Sequence, residues 1–209
     1  SWAKAGILIH RNFNDNLYVD VMSILTGTER CLVLSLVDSA TRFLAARLIR
    51  SESTLDVIRA IERGWIRQFG AMKRLTCDED SGFCSDELKA WCERHGVVLL
   101  VAPSEAHDRL GPVERRHAVL RESIERYMAS CDQAPSSALL EEALAWVPGQ
   151  INSLAFTRGH TPNQWVLGYQ PMDATSLTHD DYSPSVQDST VNETFNDSLT
   201  RRINAATSF

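Results

Sequence analysis

Residues 110–117 read Leu-Gly-Pro-Val-Glu-Arg-Arg-His, and we expect the glutamate of this stretch, Glu114, to open a long helix with Pro112 in its first turn. Two earlier carboxylates belong with it. Asp78 ends a short apolar strand and is separated from Glu114 by 35 residues, and Asp20 interrupts the apolar strand at 17–21. Charged side chains inside apolar strands are costly to bury unless they are paired or bound to a metal. The three carboxylates therefore predict a divalent-metal site.

The order of the predicted elements indicates an α/β fold. Apolar runs predict strands over 16–25, 31–37, 43–49, 74–77 and 97–102. Helical spacing and capping residues predict helices over 53–69 and 85–95, from Glu114 to 131, from 137 to near 155, and a short one after 161. Three strands with short links, followed by strands joined by helices, predict a mixed sheet flanked by helices.

Taken singly, each carboxylate has a more ordinary explanation, because an Asp at a strand end is usually a turn residue or a cap. Together, Asp20, Asp78 and Glu114 resemble the Asp, Asp-35-Glu triad of retroelement integrase catalytic cores of the long-terminal-repeat retrotransposon and retroviral type. The stretches at 115–121 and 152–171 also resemble segments of these cores. The resemblance implies a ribonuclease-H-like fold with a five-stranded mixed sheet, whose first strand is central and parallel to the fourth and fifth.

The resemblance also implies a function. Two Mg²⁺ (or Mn²⁺) ions per active site would activate an oxygen nucleophile and stabilise the leaving oxygen at a DNA phosphodiester. Asp20 would bridge both ions, while Asp78 and Glu114 would each bind one. The implied enzyme is a DNA strand transferase with endonuclease activity, which trims the 3′ ends of retrotransposon DNA and joins them to target DNA. The implied partners are DNA and further copies of the chain, as a homodimer or higher homo-oligomer.

Three arginines are the candidate DNA contacts, namely Arg115, Arg116 and Arg121, because guanidinium groups match phosphate oxygens. A solvated helix face is the alternative explanation for Arg115. The net charge of −6 argues mildly against nucleic-acid binding. Part of it lies in residues 171–209, which hold two Arg against six Asp and Glu. His117 is interpreted as a packed core residue rather than a proton shuttle.

One segment departs from the family pattern. Integrases of this type usually continue after the second Asp with Asn-Gly-Ser-Glu-Phe, whereas residues 79–83 here read Glu-Asp-Ser-Gly-Phe. The added negative charge either strengthens metal binding or repels DNA. A catalytically silent or domesticated integrase-fold domain, used for DNA binding or protein assembly, therefore remains the alternative. A ribonuclease H shares the fold but usually needs a fourth carboxylate.

The domain prediction has three parts: an N-terminal linker or arm at 1–15, the catalytic core at 16–171 and a polar C-terminal tail or linker at 172–209, in which Ser, Thr, Asn and Asp dominate. The start without Met suggests a piece of a longer polypeptide. The chain has no signal-peptide pattern and no apolar run long enough to span a membrane. We expect an intracellular protein, nuclear when acting, with no membrane partner.

The cysteines support the same compartment. Five is an odd number, and their scatter through predicted strands and helices favours reduced thiols over a disulfide framework. No paired His and Cys block precedes Asp20, so the zinc-binding module of integrases is not expected here. Cys84, Cys92 and His95 do not match a usual zinc-ligand spacing, and the last two fall on an apolar helix stripe.

Overall fold

A five-stranded mixed sheet forms the centre of the protein. The computed structural model describes residues 12–78, 84–102, 107–154 and 159–171, with the side chains of 107–114 outside that description. Along the sheet the strand order is β3-β2-β1-β4-β5. The strands are β1 (Leu17–Thr26), β2 (Glu29–Asp38), β3 (Leu44–Ile49), β4 (Arg74–Asp78) and β5 (Val98–Ala102). All five predicted strands are confirmed.

The first three strands form an antiparallel meander, and the last two run parallel to β1. Gly27 makes the β1–β2 turn possible because its backbone lies in the left-handed region, with φ of 63°, where a side chain is disfavoured. The predicted mixed sheet with a central first strand is therefore correct. The parallel pairing matters for function, because it brings the end of β4 beside the first half of β1 from distant parts of the sequence.

Helices cover both faces of the sheet. They are α1 (Thr54–Ile61), α2 (Arg67–Phe69), α3 (Asp86–Arg94), α4 (His107–Ser130), α5 (Ser137–Leu154) and α6 (Pro162–Leu167). A π-helical turn, Glu62–Ile66, joins α1 to α2. Ser53 and Ser85 cap α1 and α3 as predicted, each accepting a hydrogen bond from a backbone N–H three residues later.

Two apolar clusters lie on opposite faces of the sheet. Alternate residues of the strands, such as Leu17 and Leu36, pack with α1 and α3 on one face, and Met22 and Val33 pack with α4 and α5 on the other. Asp20 has the same parity along β1 as Met22, so it lies on the face that α4 and α5 cover. The carboxylate is thus placed on a largely apolar face beneath helices.

The long helix differs from the prediction at its start. It begins at His107 rather than at Glu114, so Pro112 lies inside α4. A proline lacks the N–H that would bond the carbonyl four residues earlier, which removes one hydrogen bond from a helix interior. The residues from His107 to Val113, ahead of the predicted start at Glu114, are therefore helical as well. Pro148 is likewise inside a helix, since α5 continues to Leu154 as predicted.

Residues 12–15, which the sequence assigns to the N-terminal arm, pack against the core. Phe13 contacts the aromatic rings of Trp65 and Phe69, and Asn14 accepts a hydrogen bond from Nε1 of Trp65. Residues 1–11 and the predicted tail at 172–209 lie outside the described residues, so the boundaries of the arm and tail remain predictions. Among the described helices, none has the length and apolar character of a membrane span.

Candidate active site

The parallel pairing of β1 with β4 places two carboxylates side by side. Tyr18 is the register partner of Thr76, and two residues further along each strand come Asp20 and Asp78. Side chains two residues apart on a strand point to the same face. Asp20 and Asp78 therefore share the face that α4 covers, on neighbouring strands, although 57 residues separate them in the sequence.

Helix α4 meets this pair through His117. Its Nδ1 lies 3.1 Å from Oδ2 of Asp20, and the histidine side chain is only 15 % exposed. Glu114 occupies α4 three residues before His117, one helical turn away, while its side chain lies outside the described residues. The backbone of α4 therefore places Glu114, the third predicted carboxylate, one helical turn from the residue that contacts Asp20. His117, interpreted from sequence as a core residue, contacts the candidate site directly.

Buried polar atoms without a hydrogen-bond partner cluster around Asp20. In the described part of the chain there are four such side-chain atoms, and three of them belong to Ser35, Asp78 and His117. Ser35 is the β2 register partner of Asp20 and has the same parity as the α4-facing residues of β2. Leaving a buried polar atom unpaired costs about 1–3 kcal/mol. Three of them in one place indicate a site arranged to bind something polar.

The buried Asp38 shows the difference between a structural and a candidate ligand carboxylate. Asp38 Oδ1 accepts hydrogen bonds from the N–H groups of Ala40 and Thr41 and from the Thr41 hydroxyl, and Oδ2 accepts one from the N–H of Asn14. Burial still raises the pKa of Asp38 above its ordinary value, against the opposing effect of these bonds. Oδ1 of Asp78 has no such donor. Asp38 therefore holds a turn together, whereas Asp78 retains a free acceptor oxygen.

The donor chemistry of the site fits a hard divalent cation. Asp20 and Asp78 offer carboxylate oxygens, which Mg²⁺ and Mn²⁺ prefer, and Asp78 has an oxygen without a partner. No group of three or more His, Cys, Asp or Glu side chains that would hold a metal occurs among the side chains that the structure describes, which do not include that of Glu114. Two of the three predicted ligands are thus placed together, and the third is placed by its backbone.

The three candidate DNA-binding arginines have different surroundings. Arg115 is exposed, and Arg121 is exposed with Nη1 donating a 2.7 Å hydrogen bond to the carbonyl of Ser23. Arg116 is only 8 % exposed, and burial, followed by the nearby charge of Arg42, lowers its pKa. A buried guanidinium has little surface to offer a phosphate. We therefore retain Arg115 and Arg121 as proposed DNA contacts and assign Arg116 to packing.

The sulfur atoms of Cys77, near the end of β4, and Cys84, the residue before the α3 cap, lie close together. Their Cα atoms are 7.3 Å apart, which is beyond the range that a disulfide spans, so the pair does not contradict the predicted reduced thiols. The two cysteines bracket residues 79–83, the segment that departs from the integrase pattern and lies outside the described residues. Cys92 is a free, buried thiol whose pKa is raised to about 11, chiefly by burial and then by Glu93. A thiol of that kind is a poor metal ligand, because metals bind the thiolate.

The sheet order and the carboxylates at the adjoining β1 and β4 positions define the protein as one with a ribonuclease-H-like fold. The integrase core domain family matches residues 12–103. Retrovirus-related Pol polyprotein from transposon 412 of Drosophila melanogaster is 25 % identical over 118 residues, 56 % of this chain and 10 % of the polyprotein. These matches confirm the resemblance to retroelement integrase catalytic cores.

Solved structures support the same fold. The HTLV-2 integrase catalytic core domain in complex with magnesium, in its dimeric form, superposes with a TM-score of 0.59 at 19 % identity, covering 74 % of this chain and 97 % of that one. A simian T-cell lymphotropic virus intasome, in complex with the PP2A regulatory subunit B56 gamma, gives 0.64 at 19 %, covering 79 % and 60 %. The chain spans about a tenth of the curated polyprotein that it matches, so the activity of a whole integrase is a proposal.

Proposed function

We propose that this chain is the catalytic core of a metal-dependent polynucleotidyl transferase, which trims the 3′ ends of retrotransposon DNA and joins them to target DNA. The observation that carries the proposal is the cluster of unpaired buried polar atoms around the adjoining Asp20 and Asp78. In this proposal Asp20, Asp78 and Glu114 are the catalytic metal ligands. When bound, two Mg²⁺ or Mn²⁺ ions supply an activated oxygen nucleophile and stabilise the leaving oxygen.

The chain's own residues have defined roles in this proposal. His117 contacts one oxygen of Asp20, which fixes the orientation of the carboxylate and leaves its other oxygen available. Asp78 directs an unpaired oxygen from the neighbouring strand. Arg115 and Arg121, one and seven residues beyond Glu114 on α4, hold the DNA backbone near the carboxylates.

Assembly and location belong to the same proposal. The HTLV-2 core used for comparison is a dimer, and the simian virus structure is an intasome. Joining two DNA ends to one target requires at least two active sites, so we propose a homodimer or a larger homo-oligomer, acting in the nucleus. We propose that the partners are retrotransposon DNA ends and target DNA.

The test of the function is metal-dependent nicking of a short DNA duplex by the 209-residue chain. We expect nicked product with Mg²⁺ or Mn²⁺, none with EDTA, and at least about a 100-fold lower rate for Glu114→Gln, because each lost metal ligand removes charge stabilisation worth several kcal/mol. Equal nicking by wild type and Glu114→Gln, or none by either, would favour the silent domain used for assembly. Preferential cleavage of an RNA–DNA hybrid would instead indicate a ribonuclease H.

Metal binding has a separate readout in thermal stability. An ion that binds only the folded chain stabilises it by about 2.7 kcal/mol at a free concentration near 100 Kd. We expect Mn²⁺ to raise the melting temperature of the wild type in a concentration-dependent manner, and Asp78→Asn to remove the rise. Asp132→Asn is the control, because Asp132 is exposed at the end of α4. A rise of the same size in Asp78→Asn would show that the ion binds elsewhere, for example at Asp80.

A further inference from the structure

The strand at one edge of the sheet, β5, exposes apolar side chains. Within the described part of the chain its one strand neighbour is β4. Val98, Leu100 and Val101 are 53 %, 37 % and 46 % exposed, and the strand contains neither a charged residue nor a proline. Proteins usually protect edge strands with such residues or cover them, because an open apolar edge pairs readily with another strand. β5 therefore has the character of a strand that a further strand covers.

The opposite edge strand, β3, shows how an edge is protected in this fold. Asn152 of α5 donates a hydrogen bond from Nδ2 to the carbonyl of Leu44, and its Oδ1 accepts one from the N–H of the same residue. β3 also carries a charged residue, Arg47. β5, in contrast, offers only aliphatic side chains over Val98–Ala102. The two edges of the sheet are therefore built differently.

The backbone of β5 has two hydrogen-bonding positions that face away from β4. The N–H of Val98 donates a 2.9 Å hydrogen bond to the carbonyl of Lys73, just ahead of β4, so Val98 and Leu100 direct their backbone groups towards β4. Because these groups alternate in direction along a strand, those of Leu99 and Val101 point outward. A strand added at this edge would bond to Leu99 and Val101.

The N-terminal arm contains a matching sequence. Residues 5–9 read Ala-Gly-Ile-Leu-Ile, without charge or proline, and isoleucine is a β-branched residue that favours strands. The described end of the arm lies at the edge where β5 starts. The carbonyl of Asn14 accepts a 3.0 Å hydrogen bond from the N–H of Lys73, whose own carbonyl bonds to Val98. Asn14, Lys73 and Val98 thus lie in one row across the sheet.

Length and direction both allow this run to reach β5. Three strand spacings, roughly 14 Å, separate Asn14 from a strand outside Val98. Ile9 is five residues ahead of Asn14, and five extended residues span up to about 17 Å. Since the arm arrives at the end where β5 starts, it would run along β5 in the opposite direction. The resulting pair would be antiparallel, with strong, perpendicular hydrogen bonds.

We propose that residues 6–9 of the arm form a sixth strand, antiparallel to β5 and outside it. In this register the opposed residues are Leu8 with Leu99, Gly6 with Val101, Ile9 with Val98, and Ile7 with Leu100. The first two pairs exchange backbone hydrogen bonds, and the last two place apolar side chains together on one face of the sheet. The chain's own arm then covers the apolar edge, independently of any metal-dependent activity.

Backbone amide hydrogen exchange of the 209-residue chain, followed by NMR in EDTA, tests the pairing. In the wild type we expect the Leu99 and Val101 amides to exchange at least about 100-fold more slowly than unpaired amides. A nuclear Overhauser effect between the Hα atoms of Ile9 and Val98 should accompany this protection. Opposed residues that do not exchange hydrogen bonds have Cα atoms only about 4.5 Å apart in an antiparallel pair.

Two double variants separate the arm from other sources of protection. Ile7→Asp combined with Ile9→Asp should return both amides to the exchange rate of unpaired amides, because it places two charges against apolar side chains. The matched control combines Ser1→Asp with Ala3→Asp, which adds the same charge outside the paired run and should keep the protection. The amides of β1 should stay protected in all three proteins, which would show that each is folded.

Three results would overturn the proposal. The Leu99 and Val101 amides could exchange freely in the wild type, or their protection could survive in the Ile7→Asp and Ile9→Asp variant, which would mean that another segment covers β5. Protection that falls on dilution would assign the edge to a second copy of the chain. Since the measurement is made in EDTA and follows no cleavage, its outcome is separate from failure of the proposed catalytic function.

Discussion

Replacing Asp20 by asparagine is expected to lower the rate of Mg²⁺-dependent DNA cleavage at least about 1,000-fold, which corresponds to roughly 4 kcal/mol of transition-state stabilisation. Asparagine keeps the size of the side chain but removes the negative charge and one acceptor oxygen. In the proposed site Asp20 would help to hold both ions, as the family resemblance implies, so its loss would weaken the binding of both, whereas Asp78 and Glu114 would each help to hold one. We therefore expect the Asp20 variant to be the least active of the three. Product formation on a labelled duplex measures the rate.

The fold should tolerate this change. Asp20 is 45 % exposed at its side chain, which contacts His117 and belongs to neither apolar cluster, so its replacement leaves both clusters intact. A melting temperature in EDTA equal to or above that of the wild type, combined with lost activity, would assign the effect to chemistry rather than folding. Asp132→Asn serves as the exposed control and should retain full activity. An Asp20→Asn protein that cleaves as fast as the wild type would remove Asp20 from the mechanism.

The second large effect concerns stability. Trp65→Ala is expected to lower the free energy of unfolding by about 3–5 kcal/mol, the usual range for deleting a buried aromatic side chain. Trp65 is fully buried, and its ring centroid lies 4.9–6.1 Å from those of Phe13, Phe43 and Phe69. Its Nε1 also donates a 2.8 Å hydrogen bond to Asn14. The substitution would leave a cavity and also release residues 12–15 from the core.

Urea denaturation followed by fluorescence measures this loss, and Trp146 provides the control. Trp146 lies on α5 with 58 % of its surface exposed, so Trp146→Ala should change the unfolding free energy by about 0.5 kcal/mol or less. Similar destabilisation by both substitutions would mean that Trp146 is covered in solution, for instance by a second copy of the chain. Little effect of Trp65→Ala would contradict the packing described for the aromatic cluster.

Much of the fold follows from local patterns in the sequence. Alternation and continuous apolar runs predict all five strands, and Ser53 and Ser85 predict two helix starts, because these signals depend on neighbouring residues only. The pairing of β1 with β4 is a long-range property. The resemblance to integrase cores implied this pairing, since no local pattern states which strands are adjacent.

The site shows where local patterns fail. Ser35 is the polar residue within the apolar run 31–37, and this interruption was a signal that could have placed it beside Asp20. Arg116 is charged like its neighbour Arg115, and its burial depends on how α4 docks on the sheet. The proximity of Cys77 and Cys84 depends on tertiary structure, which cysteine counting does not reveal.

The first predicted helix illustrates a different kind of failure. Its apolar spacing predicts one helix over 53–69, but Leu55 is 46 % exposed and the π-helical turn interrupts the winding. A pattern of apolar residues that assumes 3.6 residues per turn does not predict a π-helical turn.

The π-helical turn also determines the direction in which the side chains of residues 57–69 point. Val57, Ile61, Trp65 and Phe69 all pack towards the same apolar cluster at intervals of four residues. In an uninterrupted α-helix each such interval overshoots a full rotation by about 40°, so the fourth residue would face about 120° away from the first. The π-helical turn winds more slowly and cancels most of that overshoot. The turn therefore accommodates one extra residue within the helix: deleting a residue within 62–66 would restore plain α-helical winding, with Trp65 and Phe69 still facing the sheet to within about 20°.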